Sequence, residues 1–168
     1  MTPRNVNLHP ENYLPDSLYS TTFDVVVIGS GPVGRQVASK AQNARLATVI
    51  VEDELRGVIV LIGHALLRPG EALAAARQVG GARRLIASDR LVDVQGVFEG
   101  RDKITHRRND EAILNMSLAQ KCTVVRGRGS LISEKRALVK NANGQEKTLS
   151  AQHAVVIATG SELIQIRA

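Results

Sequence analysis

Asp24-Val25-Val26-Val27-Ile28-Gly29-Ser30-Gly31-Pro32-Val33-Gly34 reads as a strand running straight into a G-x-G-x-x-G turn. Val25 to Ile28 form an unbroken β-branched run, which suits a strand buried on both faces of a parallel sheet. At Gly29 the chain can turn sharply, at Gly31 a ligand's diphosphate can approach bare backbone, and at Gly34 a helix can lie close to the strand. Pro32 falls where a helix begins, a position whose N–H has no partner in any case. Exposed N–H groups and the helix dipole make such a turn a seat for a diphosphate. The motif implies a dinucleotide binder or a descendant of one.

The context of the motif carries the reading further. Residues from Val33 to Arg45 are expected to be helical, with Val33, Val37, Ala38, Ala41 and Ala44 near helical spacing. Ala47-Thr48-Val49-Ile50-Val51-Glu52 follows as a second apolar strand that ends on an acid. Glu52 lies roughly twenty residues beyond the glycine turn, the offset at which a carboxylate meets adenosine ribose hydroxyls. An acid there also repels a 2′-phosphate, so the nucleotide is expected to carry a free ribose.

Bulk properties narrow the classes. A chain of 168 residues suits one domain of ordinary size. Apolar residues make up 43% but aromatics only 2%, and tryptophan is absent, so the core must be aliphatic. The single cysteine, Cys122, excludes a disulfide within the chain and points to a reducing cytoplasm. Cys122 itself reads as a small core residue. The formal charge of +6 is spread along the chain, and stacking aromatics are scarce, so nucleic acid is not expected as a partner. The densest basic run, residues 101–108, contains Asp102 and precedes Asp110 and Glu111, and it reads as a solvated helix face. The longest apolar run, Val58–Ile62, is far short of the ~18 residues a membrane span needs. Residues 1–22 read as a loosely ordered leader without a targeting signal. His9, His106 and His153 have no partner at metal or triad spacing, so neither a metal site nor a catalytic residue is assigned.

Beyond Glu52 the alternation of strand and helix breaks down. Residues 65–78 are expected to be helical, with Pro69 opening a fresh segment and Gly80-Gly81 stopping it. A second helix is expected from Val97 to Lys121, with Ile104, Ile113, Leu114 and Leu118 facing inward. Cys122 to Ile132 reads as one strand containing Gly127-Arg128-Gly129. The polar turn Asn141-Ala142-Asn143-Gly144 between Ala137–Lys140 and Lys147–Ser150 signals a β-hairpin. Ala154-Val155-Val156-Ile157-Ala158-Thr159-Gly160-Ser161 is a further buried strand entering a small-residue turn.

In this order, a glycine-turn βαβ unit, a helical excursion, a strand ending in G-x-G, a hairpin and a strand ending in A-T-G resemble the FAD-binding domain of the pyridine nucleotide-disulfide oxidoreductases. That family includes dihydrolipoamide dehydrogenase, glutathione reductase and mercuric reductase. The resemblance runs from Phe23 to Ser161. It implies an α/β, Rossmann-like FAD-binding domain over residues 23–168, with a parallel sheet, a helical excursion and a small β-hairpin or meander. It implies that Gly29, Ser30, Gly31, Pro32 and Gly34 form the FAD diphosphate turn and that Glu52 meets the adenosine ribose. Backbone at Arg128 and Gly129 would meet the adenine edge, and Ala158, Thr159 and Gly160 would lie beside the dinucleotide.

The departures from the family matter as much. Where the family carries two cysteines four residues apart, this chain has the shorter stretch Gly57-Val58-Ile59-Val60-Leu61-Ile62-Gly63-His64, with no cysteine. A dithiol–disulfide couple needs two sulfurs within bonding reach. His64 stands where the family keeps a lysine that reaches the flavin, and reads as an incidental helix-start residue. The resemblance further implies a domain incomplete at its C-terminal end, without the nicotinamide nucleotide (NAD(P)) site, the flavin-end groups or the catalytic histidine. The expectation is therefore weak FAD binding and no activity from the isolated chain. It leaves open a homo-oligomer or a partner supplying the missing domains. Two alternatives stand beside it: a non-catalytic adenine-dinucleotide-binding module, and an interaction scaffold on the old fold.

Overall fold

The valine run at the start of the motif does form an inner strand of the sheet. In the computed structural model, residues 18, 20–53, 58–86, 91–107, 109, 121–141 and 143–161 are described, with side chains of 58–61 outside the description. The chain divides into two compact units, residues 1–57 with 111–168, and residues 58–110. Most of the expected leader, residues 1–22, lies outside the described residues.

The first unit is built on strand β1, Thr22–Ile28, helix α1, Pro32–Asn43, and strand β2, Thr48–Glu52. It continues with β3, Thr123–Arg126, β4, Arg128–Ser133, β5, Arg136–Lys140, and β6, Glu146–Ile157. These strands make one six-stranded sheet in the order β3-β2-β1-β6-β5-β4. β1 pairs in parallel with β2 and β6, and β2 with β3, whereas β4, β5 and β6 form an antiparallel meander. The strand order brings the end of β6 beside the end of β1, with Ile28 opposite Ile157. All parallel strands thus reach the same edge as the glycine turn.

Alternation along the strands sends side chains into two cores. On one face Phe23, Val26, Ile28, Val49, Val51 and Val125 pack with Ala137, Val139 and Leu149 of the meander. On the other, Val25, Val27, Ile50 and Cys122 pack with Ala38 and Ala41 of α1. The small residues Gly34, Ala38 and Ala41 are the buried stripe of α1, which lets the helix axis sit close to the sheet. Val33, expected on that stripe, is instead 67% exposed, because its position in the first turn rotates it to the solvent side. α1 ends in a Schellman turn: Leu46 N–H donates to the Ala41 carbonyl and Arg45 N–H to the Gln42 carbonyl, with Arg45 at φ +63°. Asp24 anchors the entry of β2, its carboxylate accepting from the Ala47 N–H at 2.7 Å.

Two strand boundaries differ from expectation. The stretch Cys122–Ile132 is not one strand, because Gly127 at φ +152° breaks it into β3 and β4. Conversely, Lys147–Ser150 and the strand leading to Ala158 are one continuous strand, β6. Ser150 has ladder partners on both sides, Thr22 of β1 and Arg136 of β5, so the polar residues Gln152 and His153 do not end the strand. They are exposed where, between the pairs Phe23–Ala151 and Val25–Ala154, one residue of β1, Asp24, stands against these two of β6. The hairpin is as expected, with Asn141 Oδ1 accepting from the N–H groups of Asn143 and Gln145 at 3.0 and 2.9 Å.

The second unit is helical: α2, Val58–Gln78, α3, Ala82–Leu85, and α4, Val94–Ile104. Pro69 does not open a new segment but lies inside α2. Proline removes one i→i−4 hydrogen bond, and a helix already propagated through residues 58–68 absorbs that loss. α4 is shorter than the helix expected to Lys121, and residues 111–120, with the inward positions Ile113, Leu114 and Leu118, lie outside the described residues. Ile104 is 47% exposed, not inward. Asp93 caps α4, accepting from the Gln95 N–H at 3.1 Å. Among the described residues no helix is long and apolar enough to cross a membrane.

Candidate dinucleotide site

The three glycines of the turn do different work, and an imagined Cβ at each separates them. At Gly29, φ is +100° and a Cβ would run into the backbone carbonyl of Ala158, whose carbon would be 2.7 Å away. That closeness follows from the β6–β1 ladder, which Ala158 N–H extends by donating to the Ile28 carbonyl at 2.7 Å. At Gly34 a Cβ would strike the Gly29 carbonyl oxygen and stand 3.4 Å from Ala158 Cβ. Both glycines are therefore demanded by packing of the turn against α1 and β6. Gly31 differs: a Cβ there would meet nothing within 4 Å. Its freedom serves nothing in the fold, and the space beside it is open.

Gly31 is also the N-cap of α1, with Pro32 in the first turn and no side chain capping the helix. The first N–H groups of a helix have no intrahelical partner, and at this end those of Val33 and Gly34 belong to that first turn. The positive end of the helix dipole adds to their attraction for an anion. No acidic residue lies in the first turn of α1.

Glu52, the last residue of β2, reaches the same turn. Its Oε2 accepts from the Ser30 N–H and from the Ser30 hydroxyl, each at 2.6 Å. Ser30 is fully buried. The sequence placed both residues at the site but did not foresee this bond. Nor did it single out Arg126, which is in register with Glu52 across the parallel β2–β3 ladder and only 6% exposed. The signal was present: Cys122 lies on the α1 face, so the alternating position Arg126 shares that face with Glu52.

The remaining expected residues gather at the same edge to different degrees. Gly129 of β4 lies against the ends of β1 and β2, where a Cβ would be 2.7 Å from Ile28 Cγ2 and 3.1 Å from Val51 Cγ1. The meander thus folds over the sheet at the turn, and Arg128 beside it is exposed. Ala158 adjoins Gly29 directly, whereas Thr159 and Gly160 are exposed just beyond it. His64 sits exposed in α2, in the second unit, and Cys122 is buried with its thiol donating to the Thr48 carbonyl at 3.7 Å. Gly57, at the start of the stretch lacking the cysteine pair, lies outside the described residues. Among the described residues no group of three or more His, Cys, Asp or Glu could hold a metal ion.

A glycine turn at the junction of β1 and α1, an acid at the end of β2 and a meander folded over both define a family-level arrangement. The sequence profile of the pyridine nucleotide-disulphide oxidoreductases matches residues 23–167. The chain belongs to that family. Among curated relatives, the dihydrolipoyl dehydrogenase of Chlamydia pneumoniae is 30% identical over 146 residues, which are 83% of this chain and 30% of that protein. The dihydrolipoyl dehydrogenase of Buchnera aphidicola is 28% identical over 149 residues, 85% of this chain and 30% of that enzyme. A leghemoglobin reductase of Vigna unguiculata is 29% identical over 83% of this chain and 28% of its own length. The HOCl-induced flavoprotein disulfide reductase RclA of Escherichia coli, solved as a Cu(II) complex, has the same fold. It superposes with a TM-score of 0.64 at 13% identity, covering 86% of this chain and 30% of the reductase. The chain therefore spans under a third of the length of these relatives.

Proposed function

We propose that this chain is the adenine-dinucleotide-binding domain of a flavoprotein oxidoreductase and that FAD is its cofactor. The observation that carries the reading is the open space beside Gly31 at an uncapped helix N-terminus, with Glu52 hydrogen-bonded into the same turn. The residues fit the adenosine diphosphate half of FAD. Gly31, Val33 and Gly34 would hold the diphosphate through backbone N–H groups, and Glu52 would accept from the ribose. Gly129 and Ala158 would bound the pocket, with Arg128, Thr159 and Gly160 at its rim. Bound flavin supplies two-electron acceptance from a hydride donor.

What the chain's own residues do is bind and orient. One cysteine, buried Cys122, cannot form a two-sulfur redox couple, so these 168 residues do not themselves reduce a disulfide by the family's dithiol route. That same fact favours the second reading, a non-catalytic module that binds adenine dinucleotides. The cysteine usage also supports a reducing compartment, the cytoplasm. Purification under mild conditions discriminates: a yellow protein supports the flavoprotein reading, and a colourless one that binds ADP supports the second. Calorimetric titration tests both readings. FAD and ADP should bind and FMN, which lacks the adenosine half, should not. Equal affinity for FMN and FAD would refute the site.

A further inference from the structure

We infer that Ser30 is a positioning residue for the Glu52 carboxylate, serving the ribose end of the site and not the diphosphate, and that Arg126 offsets the carboxylate's charge beside the diphosphate turn. The inference rests on the adenine-dinucleotide reading above. Ser30 lies between the first two glycines, where a buried polar residue would ordinarily be assigned to the phosphates. Its N–H and its hydroxyl, however, are both directed to Glu52 Oε2, at 2.6 Å each. A backbone N–H committed to a carboxylate is not available to a phosphate oxygen. Two donors converging on one carboxylate oxygen fix the side-chain rotamer, since rotation of the carboxylate would break both bonds at once. Hydrogen bonds to an ionised acceptor are about twice as strong as neutral ones, so the fixation is firm.

Arg126 acts from the other side. It occupies the next strand in register with Glu52, on the same face, at the last residue of β3. It is 6% exposed, and burying a guanidinium costs heavily unless an anion is near. Its presence solves an electrostatic conflict at the site. Glu52 is an anion placed within reach of the turn that should receive a diphosphate, and like charges so close repel. A buried cation one strand away lowers that repulsion. Gly127 N–H donates to the Glu52 carbonyl at 3.0 Å, so the backbone holds β3 and β2 together just where the two charges lie.

The roles separate in binding measurements with ADP and 2′,3′-dideoxy-ADP, which differ only in the ribose hydroxyls. The wild-type chain should prefer ADP. Ser30→Ala removes the hydroxyl but keeps the N–H donor, so the fold is retained. It should weaken ADP about three- to tenfold and leave dideoxy-ADP unchanged, so that the preference collapses. Arg126→Gln should weaken both nucleotides, and Arg126→Lys should restore them in part. If Ser30→Ala weakens both nucleotides equally, Ser30 serves the diphosphate and the inference is overturned. An unchanged preference in Ser30→Ala overturns it too, while leaving the nucleotide site intact. Failure of the wild-type chain to bind ADP at all would instead remove the functional reading on which the inference stands. Should Arg126→Gln not fold, the Lys variant and Ser30→Ala still decide.

Discussion

The two units of this chain use apolar residues in opposite ways. In the sheet unit a large set of them is inside: Phe23, Val26, Val27, Val49, Ile50, Val51, Val139 and Leu149 are all under 2% exposed. In the helical unit Ala65 and Thr105 are the buried side chains among the described residues, while Leu67, Leu85 and Leu91 are 66%, 88% and 92% exposed. A sheet covered on both faces encloses the alternating side chains of its central strands, although Leu131, Ile132 and Ile157 on β4 and β6 stay exposed. Among the described residues the three helices leave far fewer positions enclosed. The sheet unit should therefore respond sharply to single substitutions, and the helical unit hardly at all.

The largest expected effect follows directly. Phe23→Ala should cost about 3–5 kcal/mol through lost burial and a residual cavity, whereas Leu91→Ala should stay within roughly 0.5 kcal/mol. Urea denaturation measures both, and comparable losses would erase the contrast. Glycines offer a second comparison. Gly29→Ala combines a left-handed φ with a collision against the Ala158 backbone, and should destabilise by at least 2 kcal/mol, an order-of-magnitude figure for strain at such positions. Gly63→Ala, inside α2 with nothing within 4 Å of the new Cβ, should stabilise by about 0.5–1 kcal/mol. If both changes had the same sign, the packing account of Gly29 would be wrong. A modest effect is expected at the end of α1. Arg45 holds φ +63°, a conformation that penalises a side chain, so Arg45→Gly should raise stability by up to about 1 kcal/mol. A melting temperature that falls instead would contradict the Schellman assignment.

The same contrast explains what was legible in the sequence. Val25–Ile28 and Val49–Val51 announced parallel strands because continuous β-branched runs have few other uses, and the glycine spacing fixed the turn between them. Gly29, Gly34 and Glu52 could be placed at the turn for the same reason. What was not legible depended on partners distant in the chain. β6 continues through Gln152 and His153 because strands on both sides hold it, and no local rule shows that. Gly127 divides β3 from β4 by a backbone angle, which a run of apolar residues hides. Arg126 looked like one cation among many until register set it beside Glu52. In the helical unit, local rules misled: Pro69 reads as a start or a break, yet α2 runs through it, and Ile104 sits at an apolar position without being enclosed.

The central claim is that Gly31 is kept for a ligand while Gly29 and Gly34 are kept for the fold. Gly31 has φ −60° and ψ −177°, an extended conformation open to a β-branched residue, and there is no neighbour for a Cβ to meet. Gly31→Val should thus leave the urea midpoint of the protein within error of the wild type. The same branched side chain would fill the space required by a diphosphate. Calorimetric titration of Gly31→Val with ADP should show no binding, beside clear binding by the wild-type chain. Binding of ADP by Gly31→Val with undiminished affinity would contradict the account.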